Sequence, residues 1–203
     1  MSKDLFANKS KSWDMSSRRV KNAQGIAQKI IDNIELKPNM TVMDFGAGTG
    51  LLSYFIAPHI KRVVAVDNSP SMLEMFSEKA VEFDSETEVI ELDLSSSTLN
   101  RKFDGIISSM TIHHLENIEE MFKKMYDMLE DYGFIAIADL ESEDGSFHSD
   151  NTGVFHFGFE KEKLEEFASS VGFKNIGFEL ASKIEKPHGT FNVFLMTAYK
   201  NKA

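Results

Sequence analysis

The sequence predicts an α/β fold, a mostly parallel sheet with helices on both faces and an antiparallel strand at its end. Three observations predict it. Apolar strand-like and helix-like segments alternate between residues 41 and 139, and right-handed crossovers fold such a pattern into a parallel sheet. A glycine turn, Asp44-Phe45-Gly46-Ala47-Gly48-Thr49-Gly50, joins the first strand to the next helix. Two long strand-like stretches then close the chain with no helix between them, so they pair antiparallel.

In order, residues 1–17 are polar with isolated Phe6 and Trp13, and read as an arm. Over 18–34 the apolar positions Val20, Ala23, Ile26, Ala27, Ile30, Ile31 and Ile34 keep helical spacing. After a turn at Pro38-Asn39 come a strand over 41–45, a helix over 51–57 ended near Pro58, and a strand over 62–66. Ser69-Pro70 opens a helix, with serine as N-cap and proline at the first helical position. Strands follow over 87–92 and 103–109. Asn117 with Glu120 resembles a capping box and starts a helix through 129 that stops near Gly133. A strand over 134–139 leads into the acidic, serine-containing segment 141–150, read as a mobile loop. A helix over 160–171 ends at Gly172, and the closing strands lie over 175–181 and 191–199.

A chain of 203 residues suits one domain with a sizeable core. Its 42% hydrophobic and 27% charged content is that of a soluble globular protein. The absence of cysteine excludes disulfides, thiolate metal sites and cysteine nucleophiles, and no metal is expected. The net charge of −10 argues against a nucleic-acid partner. No apolar run approaches the roughly 20 residues that span a bilayer, and residues 1–11 lack a signal-peptide core. The expected location is the cytoplasm, and membrane insertion is not expected.

Glycines at 46, 48 and 50 let backbone approach a ligand where a Cβ would collide. Asp67, after the next strand and about twenty residues past the first glycine, stands where a ribose diol is held. Asp44, Asp67, Asp93 and Ser109 all fall at the carboxyl ends of predicted strands, where such sheets bind ligands. The ligand is therefore an adenosine-containing cofactor. A dinucleotide turn needs a third glycine where Leu51 stands. Asp44 would also repel a pyrophosphate but not an ammonium or sulfonium group.

These residues resemble those of the class I S-adenosylmethionine-dependent methyltransferases, of the small-molecule group similar to the ubiquinone-biosynthesis enzymes. Asp44 to Gly50 matches the family's first motif, and Val66-Asp67-Asn68-Ser69-Pro70-Ser71-Met72-Leu73 its second. Leu92-Asp93-Leu94 matches the adenine-contacting segment, and Phe103 to Ser109 strand four. The resemblance implies a Rossmann-like seven-stranded sheet in the order 3-2-1-4-5-7-6. It implies a single domain with an arm and cap helix (1–35), a cofactor-binding core (36–140) and an acceptor side (141–203). It also implies roles. Gly46, Ala47, Gly48 and Gly50 meet the methionine part with Asp44 at its edge, and Asp67 takes both ribose hydroxyls. Asn68 and Met72 flank the adenine, Asp93 and the Leu94 amide read it, and Ser109 lines the transfer point. The arm with Phe6 and Trp13 closes over the cofactor.

Plain alternatives stay open. Asp44 could act as a helix-facing N-cap, Asp67 as a turn residue, and Asp93 as part of an ordinary Asp-Leu-Ser-Ser turn. Methyl transfer from a sulfonium needs a base only when the nucleophile holds a tightly bound proton. His113 and His114, after strand four, are the candidate bases, along with His156; the alternative is that His113 and His114 hydrogen-bond the loop. His148 and His156 flank the loop after strand five, beside the aromatic segment 154–159, a candidate acceptor wall. Ser109-Met110-Thr111-Ile112 lacks the Asn/Asp-Pro-Pro-Tyr pattern of adenine and glutamine methylation, which leaves a small organic acceptor. A non-catalytic cofactor binder and a nicotinamide oxidoreductase are the competing readings, and the oligomeric state is open.

Overall fold

A computed structural model of the chain describes Asp4 and residues 10–202; Phe6 lies outside the described residues. The strands are β1 (Thr41–Phe45), β2 (Arg62–Asp67), β3 (Glu86–Glu91), β4 (Phe103–Ser109), β5 (Leu129–Leu140), β6 (Lys174–Lys186) and β7 (Gly189–Tyr199). They form one seven-stranded sheet in the order β3-β2-β1-β4-β5-β7-β6, as expected. β1 to β5 pair in parallel, and β7 runs antiparallel to both β5 and β6.

Central strands of a sheet covered on both faces read as continuous apolar runs. Val63, Val64, Ala65 and Val66 of β2 are accordingly all fully buried. Alternate residues divide between two cores. Met43, Val64, Ile106 and Ile135 pack with α4 (Ile118–Met128) and α5 (Lys161–Val171). Val42, Val63, Ala65, Ile107 and Ala136 pack with α1 (Ser17–Asn33) and α2 (Leu51–Ile56), together with Phe76 of α3 (Pro70–Lys79). The caps read from the sequence are in place. Ser69 accepts from the Met72 amide, Asn117 from the Glu120 amide, and Gly172 ends α5 at φ +109°.

Two segments differ from their sequence reading. β5 begins at Leu129, directly where α4 ends, because Leu129 pairs with Phe103 before the register shifts and Phe134 faces Gly105. Tyr132 takes up the extra chain at φ +65°. The segment 141–150 is tied down rather than free. Phe147 is 8% exposed in the core, and the amides of Ser142 and Glu143 donate to the carbonyls of Phe159 and Phe157.

The ladder between β1 and β4 stops at Asp44, while β1 stays paired with β2 through Phe45. Ser108 Oγ donates to the freed Phe45 carbonyl at 2.8 Å. Chain connections depart in opposite directions from β1 and β4, which opens a crevice at their carboxyl ends.

Candidate functional site

The glycine turn lies in that crevice. Gly46, Gly48 and Gly50 have φ of +69°, +55° and +80°, a region costly for residues with a Cβ. A Cβ on Gly46 would stand 2.2 Å from the Thr111 side chain, and one on Gly50 2.6 Å from the Phe76 ring. On Gly48 it would meet nothing within 4 Å. Packing thus explains the outer two glycines, and half-buried Gly48 keeps open space where a Cβ would stand.

Carboxylates ring the turn. Asp67 Oδ2 accepts from the Gly48 amide and Oδ1 from the Ser69 amide, both at 2.8 Å. Burial nevertheless raises its pKa, and Asp4 adds to the effect. Asp44 is 1% exposed and accepts from Ser53 Oγ at 2.6 Å. It therefore faces the first turn of α2, close to the capping alternative, although Gly50 occupies the N-cap position. Burial above all, with a smaller push from Asp67, raises the Asp44 carboxyl to about 7 against the pull of Ser53. An anionic ligand would meet repulsion here, whereas a cation would let both acids ionise.

Two further acids come from the arm, and residue patterns gave no sign of them. Asp4 accepts from Ser69 Oγ at 2.9 Å and from the Ser71 amide at 3.3 Å, at the start of α3. Asp14 accepts from Thr49 Oγ1 at 2.6 Å and pairs with Lys79. Trp13 is half-buried next to Asp14, with the Arg19 guanidinium 3.8 Å over its ring.

Along the crevice, Asn68 is exposed and Met72 buried. Asp93 Oδ1 accepts from the Ser95 amide and hydroxyl, the geometry of an Asx turn. Leu94 is buried with Lys124 on its carbonyl. Half-buried Ser109 accepts from Thr111 Oγ1 through its carbonyl. Between them Met110 takes φ +56°, a strained conformation of the kind that gathers at functional sites.

The histidines follow at once. His113 is 1% exposed, and its Nδ1 lies 2.8 Å from Oδ1 of Asp139, itself fully buried at the end of β5. A carboxylate there keeps the proton on Nδ1 and leaves a lone pair on Nε2. The His113 carbonyl accepts from the amides of Phe155 and His156, which locks the aromatic segment onto this turn. His114 Nδ1 lies 2.6 Å from the Gly153 carbonyl. His148 comes over from the loop, its ring centroid 4.9 Å from that of His113. Burial above all, then His113 and His114, pushes its imidazole down to about 4. His156 stands apart, its ring against Phe159. A cleft of about 880 Å³ lies on this side, lined by Ser95, His114, Lys124, Phe155, His156 and Phe167 among others.

Fold and site together define a Rossmann-like α/β protein with an acid-lined crevice suited to a cation. Residues 42–133, a little under half of the chain, match the methyltransferase domain family. It is 28% identical over 144 residues to an uncharacterized methyltransferase of Schizosaccharomyces pombe, covering 63% of this chain and 51% of that protein. It is 27% identical over 183 residues to the malonyl-[acyl-carrier protein] O-methyltransferase of Acetivibrio thermocellus, covering 84% and 59%. The chain thus spans between 51% and 59% of the length of these relatives. Haemonchus contortus phosphoethanolamine N-methyltransferase 2, solved with S-adenosyl-L-methionine, shares the fold at TM-score 0.72 and 16% identity. It aligns over 100% of this chain and 60% of its own. Among the described residues, no helix is long and apolar enough to cross a membrane.

Proposed function

We propose that this chain transfers the methyl group of S-adenosyl-L-methionine to a small organic acceptor by in-line displacement at the end of β4. The observation that carries the reading is the buried acid Asp44 beside open Gly48, with Asp67 across the turn. A sulfonium cofactor bearing an α-ammonium group relieves the cost of burying these acids, and a pyrophosphate would increase it.

In this reading the backbone of Gly46, Ala47, Gly48 and Gly50 receives the methionine part. Asp67 accepts from the ribose hydroxyls while its donors hold it in place. Asn68 and Met72 bracket the adenine, Asp93 and the Leu94 amide meet its polar edge, and Ser109 borders the transfer point. Trp13 and Asp14 close the arm over the turn. Residues 1–35, 36–140 and 141–203 then serve as cap, cofactor core and acceptor side. The sulfonium supplies the leaving group, so the protein's task is to hold nucleophile and methyl about 3 Å apart. His113, oriented by Asp139, is the first candidate to take the acceptor's proton, and His114 and His156 border the cleft through which an acceptor would enter.

Calorimetry with S-adenosylhomocysteine and with NAD(H) is the direct test, with Trp13 fluorescence as a second readout. Saturable binding of the former with a change in emission is expected. Binding of NAD(H) alone would overturn the reading. Release of S-adenosylhomocysteine over an acceptor panel then separates an enzyme from a non-catalytic binder.

A further inference from the structure

We infer that His113, His114 and His148 form a binding site for one divalent first-row transition ion, at the acceptor end of the crevice. A nitrogen ligand atom from each of the three lies within 4.8 Å of the others. His113 Nε2 is buried and has no hydrogen-bond partner among the described residues, although a buried polar atom is ordinarily paired. The opposite nitrogen of that ring rests on the buried carboxylate of Asp139, the arrangement that orients histidines on metals and makes them better donors. In the same way, the Gly153 carbonyl facing His114 Nδ1 puts the lone pair of that ring on Nε2. The His113 ring is therefore set, by a group outside the cluster, to present a nitrogen lone pair.

The donor set selects the ion. Three neutral imidazoles with no thiolate suit zinc, iron, cobalt, nickel or copper, and disfavour magnesium and calcium, which take oxygen ligands. A tetrahedral ion with bonds of about 2.0–2.1 Å needs its nitrogens roughly 3.4 Å apart, so the rings draw together when the ion enters. His148 is half-buried next to the anchored Phe147, so its side chain rather than the loop makes the adjustment, whereas the His113 ring is held by Asp139. Three protein ligands leave a position open. His113 and His114 lie two and three residues after Thr111, whose hydroxyl donates to the Gly46 carbonyl, so that open position adjoins the proposed transfer point. A lone-pair oxygen, nitrogen or sulfur of the acceptor is the chemistry that would fill it; with an ion bound, His113 Nε2 is a ligand rather than the base, and the ion would instead lower the acceptor's own pKa. The site itself stands on geometry alone; only this role for the acceptor rests on the methyl-transfer reading.

The test uses the full chain, stripped with a chelator and titrated with Zn²⁺ by calorimetry and with Co²⁺ by visible absorption. One ion per chain is expected, with the intense visible bands of low-coordinate cobalt and a thermal midpoint raised by Zn²⁺. His148→Ala, on the loop, is expected to fold, to lose Zn²⁺ affinity at least 100-fold and to lose the thermal shift. Its S-adenosylhomocysteine affinity should match that of the unchanged chain, so a failed metal site is distinguishable from a failed cofactor site. Asp139→Asn should weaken Zn²⁺ binding by about 10- to 100-fold. Zn²⁺ binding absent in the unchanged chain, or undiminished in both His148→Ala and a His114→Ala variant, would overturn the inference.

Discussion

Replacing Asp44 by Asn tests whether this acid is a stored cost that a cationic ligand relieves. The carboxyl moves from 3.8 to about 7 on folding, and each pH unit corresponds to about 1.4 kcal/mol. Keeping the group ionised in the folded chain at pH 8 therefore costs up to about 4 kcal/mol. The sign follows from the direction: the folded chain holds this proton more tightly, so the contribution to stability falls from about pH 4 to about pH 7 and then levels off. Asn has nearly the same shape, can still accept from Ser53, and has no proton to lose. At about pH 4 the variant and the unchanged chain should melt together, and the gap should widen from there through pH 7. At pH 8 a recovery of even half the cost, about 2 kcal/mol, should raise the variant's midpoint by about 5 °C, given 2–4 °C per kcal/mol at this size. Thermal melts across pH 4–8 read this directly. The same variant should bind S-adenosylmethionine at least tenfold more weakly at pH 8, while the unchanged chain releases protons on binding near pH 6.5. A midpoint gap that stays constant between pH 4 and pH 8 would refute the reasoning.

The glycine turn and the His113 support can be tested in the same way. Gly48→Ala has room for its Cβ and should cost only about 1–2 kcal/mol through its positive φ, yet lower S-adenosylhomocysteine affinity about 100-fold by calorimetry. Gly46→Ala must also displace Thr111, so its melting point should drop further than that of Gly48→Ala. Asp139→Asn removes the charge behind His113. Turnover on an identified acceptor should fall about 10- to 100-fold in kcat, within the reach of general-base catalysis, with KM little changed; an equal loss in cofactor affinity would reduce Asp139 to a merely structural role.

The donor half of the site was legible because its signals are local. Gly46, Gly48, Gly50 and Asp67 act through backbone conformation and strand ends, and both follow from short stretches of chain. Leu51 excluded the dinucleotide turn for the same reason. What escaped lies across the chain. Asp14 reaches Thr49, and Asp4 reaches Ser69, from a polar arm without periodicity. Phe147 is one apolar residue in an acidic segment, too little for a pattern, yet it anchors the loop and so delivers His148 to His113. No ligand spacing along the sequence connects 113, 114 and 148, and Asp139 read only as the end of a strand.

That division has a physical consequence for how the two halves can change. The donor half is welded to the sheet: its glycines are constrained by Thr111 and Phe76, and Asp44 is buried under α2, so few substitutions leave the crevice intact. The acceptor half is held along 141–159 at separate anchor points, among them Phe147, the Ser142 and Glu143 amides on the carbonyls of Phe159 and Phe157, and the Phe155 and His156 amides on the His113 carbonyl. Loops held in this way tolerate new side chains between their anchors. Exposed Phe155 and Phe157 are such positions. In the proposed reading, acceptor choice can therefore shift there without disturbing the glycine turn assigned to the methyl donor. This is also the reason that a turn so readily recognised in the sequence carries no information about the molecule being methylated.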